Sequence, residues 1–178
     1  MNLTELLALE KWQAFEKELF DRFYLNCSVY NADGISVTGK PNWCNSLCPE
    51  IKSNKASLAT ICAAGNQFFM AQARKTGEAV IDVCDAGLLK IAVPIFVGDE
   101  FLGTAGGCGR LPENGEVDTF MVHKTTDLSE EAVEALCDGL KTMTAEEARE
   151  VSGFIKTRLH EIVDRVQTNS VANSVAAC

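Results

Sequence analysis

The stretch "KIAVPIFVGDEFLGTAGG", Lys90 to Gly107, restricts the fold more than any other part of this chain. Two β-prone runs flank Gly98-Asp99, a dipeptide that suits a tight hairpin, and "EAVIDVC" just before them reads as a third strand. Pro94 requires an edge position or a bulge in its strand. Two shorter runs around "NADG", with Asp33-Gly34 as the turn, bring the expected number of strands to five.

Helical periodicity surrounds this β-rich centre. Residues 2 to 24 pair Asn2 with Glu5 at capping-box spacing and repeat Trp12, Phe15, Leu19 and Phe23 at threes and fours. Ser57 to Lys75, with Leu58, Ile61, Cys62, Phe68 and Phe69 on its apolar side, reads as a helix ended by Gly77. Ser129 to Leu140 suits another. From Thr144, capped with Glu147, a long segment carries Val151, Ile155, Leu159, Ile162 and Val166 at a spacing of about 3.5 residues. That stripe packs on its own domain, on the N-terminal helix, or on its copy in a homodimer through the terminal helices. The tail "QTNSVANSVAAC" has no pattern and is expected to fray. The prediction is one α+β domain over residues 1–178, with a central antiparallel sheet of about five strands and flanking N- and C-terminal helices.

A net charge of −9, with no basic run to offset it, argues against direct binding to nucleic acid. No segment approaches the roughly 20 apolar residues that span a bilayer, so no membrane partner is expected. Glu5 and Glu10 in "MNLTELLALEKW" do not suit a secretion signal. A cytoplasmic location is the expectation.

In that reducing context, eight cysteines point to metal binding or redox chemistry rather than structural disulfides. Cys27, Cys137 and Cys178 sit in a strand-like run, on a helix face and at the last position, where packing or chance accounts for them. Cys44, Cys48, Cys62, Cys84 and Cys108 are the candidates. Pro49 predicts that Cys44 and Cys48 lie in a loop leading to a helix that begins at the proline. Cys84 ends a strand, and Cys108 lies among Gly103, Gly106, Gly107 and Gly109, where the backbone can approach something closely. Separations of 3, 13, 21 and 23 residues match neither a zinc knuckle nor a compact ferredoxin run. Spacing alone therefore leaves a metal or cluster, reduced thiols and a redox disulfide all open. His123 and His160 read as packing or surface residues, and the paired acids at helix starts as partners of the helix dipole.

In "CDAGLLKIAVPIFVGDEFLG" the chain resembles the PocR-type ligand-binding domain, a PAS-like sensory module of bacteria and archaea. The resemblance rests on Cys84, Ala86, Gly87, Leu88, Pro94, Ile95, Leu102 and Gly103, and upstream on Cys48 and Cys62. It covers about residues 5 to 125, leaving 127 to 170 for C-terminal helices. The family's histidine after the hallmark cysteine is Asp85 here, and its closing Gly-Gln pair is replaced by "GGCGR", which places Cys108 beside three thiols that match the family.

The resemblance implies a sensory role, and with no output module among these residues the expectation is a non-enzymatic sensor acting on a separate signalling protein, or a fragment of a longer sensor. The first expectation is a pocket lined by Cys48, Cys62, Cys84 and Cys108, with Cys44 in reserve, that holds an iron-sulfur cluster or zinc. Its gain, loss or reduction would be passed to the terminal helices. The second is a metal-free pocket for a small organic ligand. The third is a thiol redox enzyme using Cys44 and Cys48, with only Lys40 and Lys52 near enough in sequence to activate them.

Overall fold

The computed structural model describes residues 1–39 and 41–176. Strands β1 (Asn26–Asn31), β2 (Val80–Val83), β3 (Leu89–Val97) and β4 (Glu100–Pro112) form an antiparallel sheet in the order β1-β4-β3-β2. The short β5 (Thr142–Met143) pairs parallel with the end of β4, the one departure from an antiparallel sheet. The Gly98-Asp99 hairpin forms as expected, with Val97 opposite Glu100. Pro94 lies beyond the last residue that β2 pairs, so β3 loses no ladder bond on that side.

Alternation along the strands divides the sheet into two faces. Cys27, Val29, Ile91, Val93, Ile95 and Ala105 belong to a core with α1 (Leu3–Leu6), α2 (Leu9–Phe23) and α8 (Ala145–Ala176). Val151, Ile155, Leu159 and Ile162 are buried in that core, so the C-terminal stripe packs on its own domain. The other face looks toward a helical layer made of α3 (Leu47–Ser53), α4 (Lys55–Ser57), a π-helical segment (Leu58–Ala63) and α5 (Ala64–Thr76). A second apolar cluster joins this layer to α6 (Thr119–Thr125) and α7 (Glu130–Cys137) around buried Ala86 and Leu88.

Several elements differ from the sequence expectation for physical reasons. The N-terminal helix is broken at Leu7, which is extended, and Trp12 Nε1 donates to Leu3 O at 2.7 Å across the break. The Asn2–Glu5 capping box forms, but on a helix of one turn. The strand expected after "NADG" shrinks to a single bridge between Tyr30 and Ser36. The reason lies in α2: the buried Glu16 carboxylate takes the Val29 N–H at 2.7 Å and the Thr38 hydroxyl at 2.6 Å, occupying an edge donor that a strand would use. Leu58 and Phe68 are exposed rather than inward. The π-helical turns shift the helix face in the middle of what the 3.6-residue pattern treats as one helix. Helix α8 continues to Ala176 where fraying was expected, while Lys40 and Cys178 lie outside the described residues.

Arg110, in β4, closes the sheet end against the helices. Its guanidinium donates to Phe23 O at 3.2 Å and to Thr142 O, and lies 3.9 Å from Glu147, next to the start of α8. Among the described residues no helix is long and apolar enough to cross a membrane.

Candidate functional site

The sheet face away from α2 and α8 carries a row set by register. Asn26 and Lys90 both lie opposite Cys108, Ser28 and Ala92 opposite Gly106, and Tyr30 and Pro94 opposite Thr104. Asn26, Ser28, Tyr30, Lys90, Thr104 and Cys108 line one cavity with Lys52 of α3 and Asn66, Phe69 and Met70 of α5.

Beside the Cys108 end stand the other candidate thiols. Cys44 is in the loop before α3, and its N–H donates to Asn26 Oδ1 at 2.7 Å. Cys48 is not in a loop: α3 begins at Leu47, and Pro49 falls in its first turn, where no N–H is needed. Asn45 organises this pair. Its Oδ1 accepts the Cys48 N–H at 2.8 Å, while its Nδ2 donates to Gly109 O at 2.7 Å and lies 3.6 Å from Cys44 Sγ and 3.5 Å from Cys48 Sγ. Cys62 sits in the π-helical segment, a local irregularity of a kind that often accompanies functional positions. Cys84 opens the turn after β2, where its N–H donates to Leu88 O at 2.8 Å and its carbonyl accepts from Gly87 N.

Gly109 supplies the close approach that the glycine run predicted. At φ +105 a side chain would be strained, and a Cβ would stand 2.4 Å from Asn26 Nδ2 and 2.8 Å from both Asn45 Nδ2 and Cys44 Sγ. Two amide NH2 groups and a thiol thus converge on a hydrogen atom. Asn26 Nδ2 is buried and has no hydrogen-bond partner.

The buried thiols lie close enough to Cys108 to influence one another. Burial raises Cys44, Cys48 and Cys84 above the ordinary thiol range, and in each the next cause is the charge of Cys108. Burial pushes Cys62 up to about 11, with Lys52 and Lys90 working against the rise and Cys108 and Cys84 adding to it. Burial works against the Lys52 ammonium, but Tyr30, Cys108, Cys62 and Cys48 more than offset it and hold its pKa above the ordinary value. These four thiols are therefore neutral near pH 7 unless a cation takes the place of their protons. A low-pKa nucleophile, which the thiol-enzyme reading requires of Cys44 or Cys48, is not what these surroundings make.

Among the described residues, no three thiol, imidazole or carboxylate groups stand close enough to ligate one metal ion as they are. Cys27 is buried in the opposite core, and Cys137 Sγ donates to Val133 O at 3.2 Å on α7. His160 is exposed, and His123 Nδ1 lies 2.8 Å from Leu128 O. Asp85, in the place of the family histidine, is exposed at its turn.

Sequence reasoning missed Asn26, Asn45 and Lys90 as site residues and named Lys52 only as a possible activator of a thiol. Asn26, Ser28 and Tyr30 alternate along β1, a polar row of period two that marks a face not filled with hydrocarbon. Asn45 and Lys90 had no comparable signal.

No curated protein and no solved structure matches the chain. The family model described as the sensory domain found in PocR matches residues 5–166, well past the 5 to 125 span that the motifs cover. With nearly the whole chain matched, and with a mixed sheet-and-helix fold that is PAS-like, the chain belongs to the PocR sensory-domain family.

Proposed function

We propose that this PocR-family sensory domain responds through its thiol-lined pocket, with Cys48, Cys62, Cys84 and Cys108 holding an iron-sulfur cluster and Cys44 as a fifth thiol beside them. The observation that carries the reading is the meeting of Cys44, Cys48 and the Cys108–Gly109 strand at the Asn45 amide, with Cys62 and Cys84 packed in the same apolar cluster as Cys48. Cluster thiolates stand at the corners of a cubane, further apart than the ligands of one ion. The unpartnered Asn26 Nδ2 and the Asn45 amide supply donors for thiolate sulfur, the kind of contact that orients ligands and tunes potential. Lys52 and Lys90 offset the negative charge. A bound cluster would supply a one-electron couple.

The domain acts without catalysis in this reading, on a separate signalling protein. A homodimer through the terminal helices would need surfaces other than the stripe already buried in the core. Anaerobic purification with iron, sulfide and zinc assays and an absorption spectrum tests the proposal. A brown protein with iron and sulfide supports it, and a colourless protein free of both metals rejects it.

A second reading, a metal-free pocket for a small organic ligand, is favoured by the Ser28, Tyr30 and Thr104 hydroxyls. Among the described residues these side chains line the cavity yet make no hydrogen bond to protein. In that case serine at Cys62 and Cys84 leaves ligand binding intact.

A further inference from the structure

The cavity beside the thiols has a charge pattern that a neutral ligand does not explain. Lys52 and Lys90 both line it, and no aspartate or glutamate does. In a chain of net charge −9, Lys17 pairs with Asp21 and Lys156 with Glu78, and the other described lysines without a carboxylate partner are exposed, whereas Lys52 and Lys90 are half-buried. Neither cavity lysine has a carboxylate within ion-pair distance among the described residues. Lys90 donates to Asn66 Oδ1 and lies 5.4 Å from the centre of the Phe69 ring, while Lys52 Nζ lies 5.2 Å from the centre of the Trp43 ring. Two ammonium groups in one partly buried cavity repel each other unless an anion lies between them.

We propose that the Lys52–Lys90 cavity is a subsite for a small organic carboxylate with a short apolar tail. The lysines meet the carboxylate, with the free hydroxyls of Ser28, Tyr30 and Thr104 as further donors. Size sets the class. About 30 Å³ is open to the centre of a water-sized molecule. A water needs roughly 10–15 Å³ by that measure, so the space suits a short-chain acid and not a bulky one. Phe69, Met70 and Ala92 give the first carbons of the tail an apolar wall. The inference deepens the small-molecule reading of the pocket and rests on it, but it does not require a cluster.

The test is calorimetric titration of the full chain with propionate, propionamide and 1-propanol, on wild type, Lys90→Met and Lys52→Met, with iron and sulfide measured on the same preparations. The expected result is that propionate binds at least tenfold more tightly than propionamide or 1-propanol, and that either substitution weakens it at least tenfold with iron content unchanged. Equal binding of propionate and propionamide to wild type overturns the proposal, whether or not the variants fold. So does inorganic phosphate binding where propionate does not, or loss of iron together with propionate binding in Lys90→Met, which would assign that lysine to the thiols. Propionate binding of the expected pattern in a protein free of iron and zinc leaves the subsite standing and removes the cluster.

Discussion

Asn26 Oδ1 accepts the backbone N–H of Cys44 at 2.7 Å, so one buried bond ties the first strand to the loop that carries the thiols. Asn26→Ala leaves that N–H without a partner and should lower stability by about 1–3 kcal/mol in denaturant melts. Asn26→Asp keeps the acceptor but replaces the free NH2 with negative charge beside Cys44. It should fold and load less iron than wild type in parallel reconstitutions.

Serine substitutions separate the thiols. Cys48→Ser, Cys62→Ser, Cys84→Ser and Cys108→Ser should each reduce bound iron to less than half of the wild-type value, whereas Cys137→Ser, on α7, should not change it. Cys44→Ser decides whether the fifth thiol is a ligand. Equal iron in all five variants would show that the group is packing.

Alkaline pH acts on the thiols in opposite directions with and without metal. Burial raises Cys62 from an ordinary 9.0 to about 11, so the folded metal-free state keeps a proton that the unfolded chain releases. The stability from that difference is complete below the ordinary value and is lost as pH rises through the folded one. The melting temperature of reduced, metal-free protein should therefore fall between pH 9.0 and about 11. Metal binding should instead strengthen with pH, about tenfold per unit for each proton displaced.

Glu16 offers a second titration, away from the thiols. Burial is the main cause of its raised pKa, opposed by the Thr38 and Val29 hydrogen bonds. The folded state thus holds a proton more tightly than the unfolded chain, and its contribution fades as pH climbs above the ordinary 4.5. Glu16→Gln keeps an acceptor for the Val29 N–H, so its stability relative to wild type should improve from acid toward neutral pH. Glu16→Ala should lose about 1–3 kcal/mol near neutrality, because the Val29 N–H is left unpaired.

Much of this was legible in the residues. The Gly98-Asp99 hairpin, the helix stop at Gly77 and the Thr144–Glu147 cap follow from local chemistry, and all three form. The hallmark turn from Cys84 to Leu88 could also be read, whereas Cys48, Cys62 and Cys84 share one apolar cluster with Cys137, so packing alone does not set them apart from it. What stayed hidden depends on distant partners. Glu16 looks like a surface residue until Val29 N is found against it, and the π-helical turn around Cys62 has no periodic signature. Helix α6 and strand β5 are too short for a pattern to announce them. Lys52 and Lys90 are ordinary lysines until the fold brings them to one cavity without acids.

Cys108 and Arg110 are two positions apart on β4, and Arg110 grips the end of α2 and the approach to α8. The link between them is the single residue Gly109, held at φ +105 in a bulge of the strand, so a shift at the pocket mouth bears directly on that joint. The end of α2 and the start of α8 are thus hitched to the strand that lines the cavity, which makes them the places where a change in that cavity would first be felt outside it.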